Sequence, residues 1–238
     1  MTSSFSLPIL LGLLMGLRHA FEPDHLAAVA AILSRGAGAR AAQGGRVGAL
    51  WGAGHALSVL LAGTGVIFLG WRIPPRFEAA FECAAALTLI GLGSSILLRR
   101  LRGEKAHLHL HEHDGFLHAH LHFHRSPREE HHHHAGESLL SSGRQSFLVG
   151  ALHGLSGSGG MTMLVLAATP SPVAAMAALL LFGFGAAAGM ALLSGLLGLP
   201  LSAAAKNSSR LLSGLQVASG TASLLFGLVL VLRTLPLL

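Results

Sequence analysis

Gly16-Leu17-Arg18-His19-Ala20-Phe21-Glu22-Pro23-Asp24-His25-Leu26-Ala27-Ala28-Val29 lies in the middle of an apolar run that extends from residue 7 to residue 33. Such a run is long enough to cross a bilayer, which takes about 20 mostly apolar residues. Arg18, His19, Glu22, Asp24 and His25 place ionisable side chains inside it, and these are costly there unless they pair, face water or bind an ion. Pro23 has no N–H to give the carbonyl of His19, so the helix is expected to kink or open at this point. Freed carbonyls and two imidazoles would then face one place. His19, Glu22 and His25 are spaced i, i+3, i+6, which predicts a shared helical face.

The rest of the chain is of the same kind. Of its 238 residues 52% are hydrophobic and 11% charged, against about 25% charged in soluble domains; mean hydropathy is +0.62. So few charges cannot cover a water-soluble surface, and the chain reads as an all-α polytopic membrane protein. Further apolar segments at 47–70, 77–98, 147–168, 172–199 and 211–232 bring the expected transmembrane helices to six. The stretch from Arg99 to Arg144 is too polar for lipid. The expected organisation is therefore a first three-helix half at 7–98, a polar His-rich loop at 99–146 and a second three-helix half at 147–232.

The net charge of +6 does not imply a nucleic-acid partner, because no basic patch with base-reading side chains accompanies it. The Lys and Arg residues cluster in the connections instead. Twelve follow the first, third and fifth spans and three lie on the other face, which places the His-rich loop in the cytoplasm and both termini outside. A multi-pass location in the inner (plasma) membrane, with the bilayer as partner, follows. Met1–Ser6 lacks the basic start of a cleavable signal. The single cysteine, Cys83, excludes an intrachain disulfide and a CxxC redox pair.

The halves repeat. An ungapped offset of 134 aligns Gly16-Leu17-Arg18-His19 with Gly150-Ala151-Leu152-His153, and pairs Arg76 with Arg210, Glu82 with Gln216, Gly93 with Gly227 and Arg99 with Arg233. A three-helix unit repeated in tandem enters the membrane from opposite sides. The expectation is two inverted three-helix repeats, an arrangement common in secondary transporters, with substrate bound near the midplane at broken helices.

Imidazole with carboxylate or carbonyl oxygen suits a borderline divalent ion such as nickel, cobalt or zinc. The plainer alternative is a proline-kinked helix carrying a buried ion pair of Arg18 with Glu22 or Asp24, which would not need two histidines as well. His55, among Gly, Ala and Leu of the second span, is either a hydrogen-bonded core residue or a ligand. His153 has the stronger case, since the repeat sets it against His19. Glu82 is a candidate proton-coupling carboxylate, and its neighbour Cys83 reads as a small core residue. Gly12 and Gly16, Gly48 and Gly52, Gly150 and Gly154, and Gly185 and Gly189 have the small-xxx-small spacing of closely packed helices. The stretch Gly154–Gly160 is expected to unwind. Twelve of the sixteen histidines fall between His107 and His134, alternating at first and ending in His131–His134. Alternate histidines line one edge of an extended chain, so metal held by this loop is expected; a solvated linker without metal is the plain alternative.

His19-x4-Asp24-His25 matches the H-x4-D-H signature of the nickel/cobalt transporter superfamily. The run His-Ala-Phe-Glu-Pro-Asp-His-Leu-Ala-Ala-Val resembles most the family's UreH-like urease-accessory branch. Gly54-His55-Ala56-Leu57-Ser58 resembles the family's Gly-His-Ser segment, and His153-Gly154-Leu155-Ser156-Gly157-Ser158 a His-Gly-Leu-Ala-Gly-Ser stretch of that branch. Glu22-Pro23 stands where nickel/cobalt permeases usually have Asp-Ala. The resemblance implies metal recognition by His19, Asp24 and His25.

Gly154-Leu155-Ser156-Gly157 also matches the GxSG of rhomboid-type proteases, but no histidine follows His153 to serve as base. An enzyme is therefore not expected. The expected function is transmembrane transport of nickel or cobalt, with the ion as substrate rather than resident cofactor. His19, Glu22, Asp24, His25, His55 and His153 are the expected metal residues. Two alternatives stand beside it: a membrane chaperone that captures metal and passes it to urease or hydrogenase maturation proteins, and a transporter of a non-metal solute. Direction of transport stays open.

Overall fold

The computed structural model describes residues 3–37, 41–102, 105–113, 116–124, 139–156, 169 and 171–238. In chain order these form α1 (Ser3–His19), α2 (Pro23–Ile32), a π-helical turn (Leu33–Ala37), α3 (Ala41–Leu69) and α4 (Pro75–Leu101). A two-stranded ribbon follows, β1 (Lys105–His113) and β2 (Phe116–His124), then α5 (Leu139–Leu155), α6 (Pro172–Asn207) and α7 (Ser209–Thr234). Local sequence explains the starts. Pro23, Pro75 and Pro172 occupy first helical positions, where the missing N–H costs nothing. Ser171 and Ser208 accept from the amides of Ala174 and Leu211 as N-caps of α6 and α7. Gly70, at φ 65°, ends α3 in the left-handed conformation, and the Trp71 amide returns to the Gly65 carbonyl.

Among the described residues four helices are long and apolar enough to cross a membrane: 42–69, 75–101, 172–207 and 209–237. The other two of the six expected spans are not single helices of this kind among the described residues. The run 7–33 is divided into α1 and α2 by Ala20–Glu22, because Pro23 cannot continue α1. The run expected at 147–168 is helical to Leu155, with a turn at Ser156. Of the stretch Gly154–Gly160 expected to unwind, Gly154 and Leu155 are still helical and Ser156 is a turn, while residues 157–168 lie outside the described residues.

Leu61, Phe68, Phe184, Leu192, Leu225 and Leu232 stand exposed on α3, α6 and α7. Only an apolar solvent suits so many large side chains on outward faces. This is a membrane protein.

Each small-xxx-small pair meets a neighbouring helix. Gly12 and Gly16 face Ala178 and Phe182 of α6; Gly48 and Gly52 face Met190 and Ala187 of the same helix. Gly185 and Gly189 face Leu13, Leu17 and Ala20 of α1, and Gly150 and Gly154 face Trp51 and His55 of α3. Lipid tails are as apolar as leucine, so helices in a bilayer gain by close approach of backbones. Such approach seats α1 and α5 on either side of the α3–α6 pair.

The offset of 134 recurs in the element boundaries. Shifted by it, α1 falls on α5, α3 on α6 and α4 on α7, to within a few residues at each end. The Ser223 hydroxyl donates to the Leu89 carbonyl at a separation of 134. Gly93 abuts Gly220 and Gly227 abuts Ala86, one contact being the other shifted by the same step.

The ribbon departs from a purely helical chain. Its antiparallel register pairs His107 with His122, His109 with His120 and His111 with His118. Two residues, Asp114 and Gly115, separate the strands. Asp-Gly between alternating sequences is a strong hairpin signal, so the pairing was present in the sequence and was passed over in favour of a single extended edge. His131–His134 lie outside the described residues.

A side chain at Gly150 would overlap the Trp51 carbonyl, whereas one at Gly214 meets nothing within 4 Å. Gly150→Leu should therefore push α5 from α3 and cost about 1–3 kcal/mol or more. Thermal melts of the detergent-solubilised protein check this, with Gly214→Ala expected to leave the midpoint unchanged or raise it.

Candidate metal site

The break between α1 and α2 builds the site. His19 closes α1, with Phe21 and Glu22 amides turning back to the carbonyls of Arg18 and His19. Glu22 is extended (φ −63°, ψ 145°) and precedes Pro23 as N-cap of α2, yet its side chain caps nothing. Its carboxylate goes to His19 Nδ1 at 3.0 Å instead. Asp24, in the first turn of α2, accepts from His25 Nδ1, also at 3.0 Å. His19 and His25 thus meet across a broken helix, with ring centroids 4.6 Å apart. The expected shared helical face is corrected: no continuous helix joins them, and the turn that Pro23 imposes brings them together.

α3 and α5 supply the remaining imidazoles. His55 lies 4.9 Å from His19 and 5.3 Å from His25, centroid to centroid, and His153 lies 5.9 Å from His25. His25, His55 and His153 are buried. The chain has sixteen histidines, twelve of them in the polar loop. The other four are these four.

The hydrogen bonds decide which nitrogens are available. A carbonyl oxygen only accepts, so His153 Nδ1, 2.9 Å from the Val149 carbonyl, carries the proton and Nε2 keeps its lone pair. Carboxylates likewise accept at Nδ1 of His19 and His25, and such partners orient each ring. Nε2 of His25 and of His153 and both nitrogens of His55 have no hydrogen-bond partner among the described residues. Leaving a buried polar atom unpaired costs about 1–3 kcal/mol. A divalent cation satisfies several at once. Ligand atoms of His19, His25 and His55 lie within 4.8 Å of one another, and those of Glu22, Asp24 and His25 form a second such group. A tetrahedral set with metal–nitrogen bonds of about 2.0–2.1 Å spaces its ligands roughly 3.4 Å apart, so modest side-chain movements close the inner group.

All six expected residues therefore meet in one place. Arg18 is exposed, and the carboxylates pair with imidazoles rather than with its guanidinium, so the simple ion-pair alternative does not describe this structure. Glu82 and Cys83, on α4, belong to neither metal-capable group. Two walls were missed. Trp51 is fully buried, its ring 5.1 Å from His25 and 5.9 Å from His153, and Phe182 lies 5.3 Å from His19. Trp51 precedes His55 by four residues, a spacing that shares a helical face and that pointed to it.

The family model described as high-affinity nickel-transport protein, NicO, matches residues 6–231. A similar curated protein is the urease accessory protein UreH of Bacillus sp. (strain TB-90), 26% identical over 197 residues, covering 82% of this chain and 78% of that one. No solved structure matches. The match spans α1 through most of α7 and takes in His19, His25, His55 and His153: the chain belongs to the NicO family of high-affinity nickel-transport proteins.

Proposed function

We propose that the protein carries nickel or cobalt across the inner (plasma) membrane through the buried site of His19, Glu22, Asp24, His25, His55 and His153. The observation that supports this most is the convergence of every histidine outside the polar loop on one place, three of them with the proton held on Nδ1. Neutral imidazole is the donor that borderline divalent ions prefer. Glu22 and Asp24 add two negative charges beside it. A doubly charged ion in low dielectric needs that compensation, since an unpaired charge there is prohibitive. Other transported solutes would have no use for four imidazoles with free nitrogens.

Movement of the ion is alternating access of two inverted three-helix halves around the broken first and fourth segments. The recurrence of the 134-residue offset in helix boundaries supports the repeat. The excess of Lys and Arg in the connections after the first, third and fifth segments supports a cytoplasmic ribbon and outside termini. Bound ions are carried with their charge neutralised, and each step exchanges ligands rather than freeing the ion.

The ribbon favours an additional role in holding metal at the cytoplasmic mouth. Alternation puts His107, His109, His111, His118, His120 and His122 at register positions on one face, in three cross-strand pairs. Directly opposite positions in an antiparallel pair are about 4.5–5.5 Å apart, a separation at which two histidines can share an ion. A metal-capture chaperone for urease or hydrogenase maturation draws on the same feature and makes the ribbon, not the buried site, essential.

Cell-associated nickel measured by mass spectrometry separates these. Wild type should differ from empty vector, upward for import and downward for export, and His19→Ala, His55→Ala and His153→Ala should each match the vector. Serine at the six ribbon histidines should lower the number of ions bound by the purified protein while leaving that difference in place; the reverse pattern would favour the chaperone. Protons compete for imidazole lone pairs, so nickel affinity of the purified protein should fall as pH is lowered, which isothermal titration at several pH values checks.

A further inference from the structure

We propose that an ion passing through this site occupies two stations in turn, an outer one of Glu22, Asp24 and His25 and an inner one of imidazoles alone, with His25 common to both. The inference rests on the metal-transport reading above and adds an order of events and a basis for selection. The two groups of ligand atoms overlap at His25, and each lies within 4.8 Å. Exposure falls along the series: the Glu22 side chain is 51% exposed, Asp24 26%, His19 14% and His25 2%. His55 and His153 lie at the buried end. Donor chemistry changes in the same direction, from two carboxylates and one imidazole to imidazoles only.

A hydrated ion arrives with a shell of water, and charged oxygen ligands exchange with that shell most readily because they match it in hardness and add charge. Each carboxylate has lone pairs to spare beyond the one that accepts from Nδ1 of its histidine, so it can take the ion without releasing the ring. His25 has Nδ1 on the Asp24 side and a buried, unpartnered Nε2. An ion held outside is already a neighbour of the ring that binds it inside, and it crosses without a bare intermediate. Hard ions such as magnesium, calcium and manganese favour carboxylate and water, whereas nickel, cobalt and zinc also favour imidazole. The outer station admits both kinds, and the inner one retains the second.

The test uses the full chain in lipid nanodiscs with Trp71→Phe, which leaves Trp51 as the lone tryptophan, at the wall of the inner station. Cobalt quenching of Trp51 emission reports inner occupancy, and manganese, followed by its electron paramagnetic resonance signal, probes the outer station. Manganese should bind without quenching Trp51 and should slow cobalt quenching competitively. Glu22→Gln with Asp24→Asn keeps both acceptor oxygens for the histidines and removes the charged ligands. Removing a station on the path slows entry, so this variant should lose manganese binding and take up cobalt roughly tenfold more slowly or worse, in addition to the loss of affinity that removing the compensating charges brings. The slowing should persist in about 1 M salt, where screening within about 3 Å removes simple steering. His55→Ala should do the opposite, losing cobalt quenching while manganese still binds. An unchanged rate in the double variant, or manganese binding that requires His55, overturns the two stations while leaving the buried site intact. Absence of cobalt quenching in the parent chain overturns the buried metal site itself, and the stations with it.

Discussion

A proline has no amide hydrogen, and in a membrane that deficit has to be resolved by the protein itself. At Pro23 it is resolved by ending one helix and starting another: α1 closes at His19, and α2 begins on Pro23 as its first residue. Backbone groups freed at the break find each other within the turn, through the Phe21 and Glu22 amides and the carbonyls of Arg18 and His19. The short non-helical stretch carries His19 and His25 into contact and puts Glu22 and Asp24 beside them. Every other feature of the site depends on that turn, because a continuous helix would spread the same side chains along its length.

Close helix packing does the rest. Gly150 and Gly154 allow α5 to lie directly on the backbone of α3 at Trp51 and His55, which sets His153 at the edge of the cluster. Once there, the Val149 carbonyl one turn back fixes its tautomer. The same principle, a partner that accepts a hydrogen bond at Nδ1 and so orients the ring, operates at His19 and His25 through carboxylates. Proton placement on the imidazoles is thus written into local sequence, two positions by adjacent acids and one by a helical carbonyl. The result is a cluster of imidazoles with two carboxylates beside it.

The polar network of Arg100, Ser213, Gln216, Ser34 and Ser219 ties α4 and α7 to the π-helical turn that follows α2. Gln216 stands at the repeat position of Glu82, and it is a buried hydrogen-bonding residue rather than a titrating one. The two halves therefore share a helical framework without sharing polar chemistry, and the clustered imidazoles are drawn unequally from them: His19, His25 and His55 from the first, His153 from the second.

Membrane character, the helical framework, the repeat offset and the candidate metal residues were legible in the sequence, since hydropathy and costly intramembrane polar groups are properties of residues and their spacing. The break at Pro23 was legible for the same reason, being a consequence of one missing donor. At His55 the sequence left two readings open, and tertiary structure supplies its surroundings: its ring lies 4.9 Å from that of His19 and 5.3 Å from that of His25, with no hydrogen-bond partner at either nitrogen among the described residues. The wall formed by Trp51 and Phe182 is likewise a fact of juxtaposition. Periodicity assigns side chains to faces of elements; only the close approach that glycines permit between α3, α5 and α6 determines which faces meet, and hence that four histidines far apart in the chain surround one point.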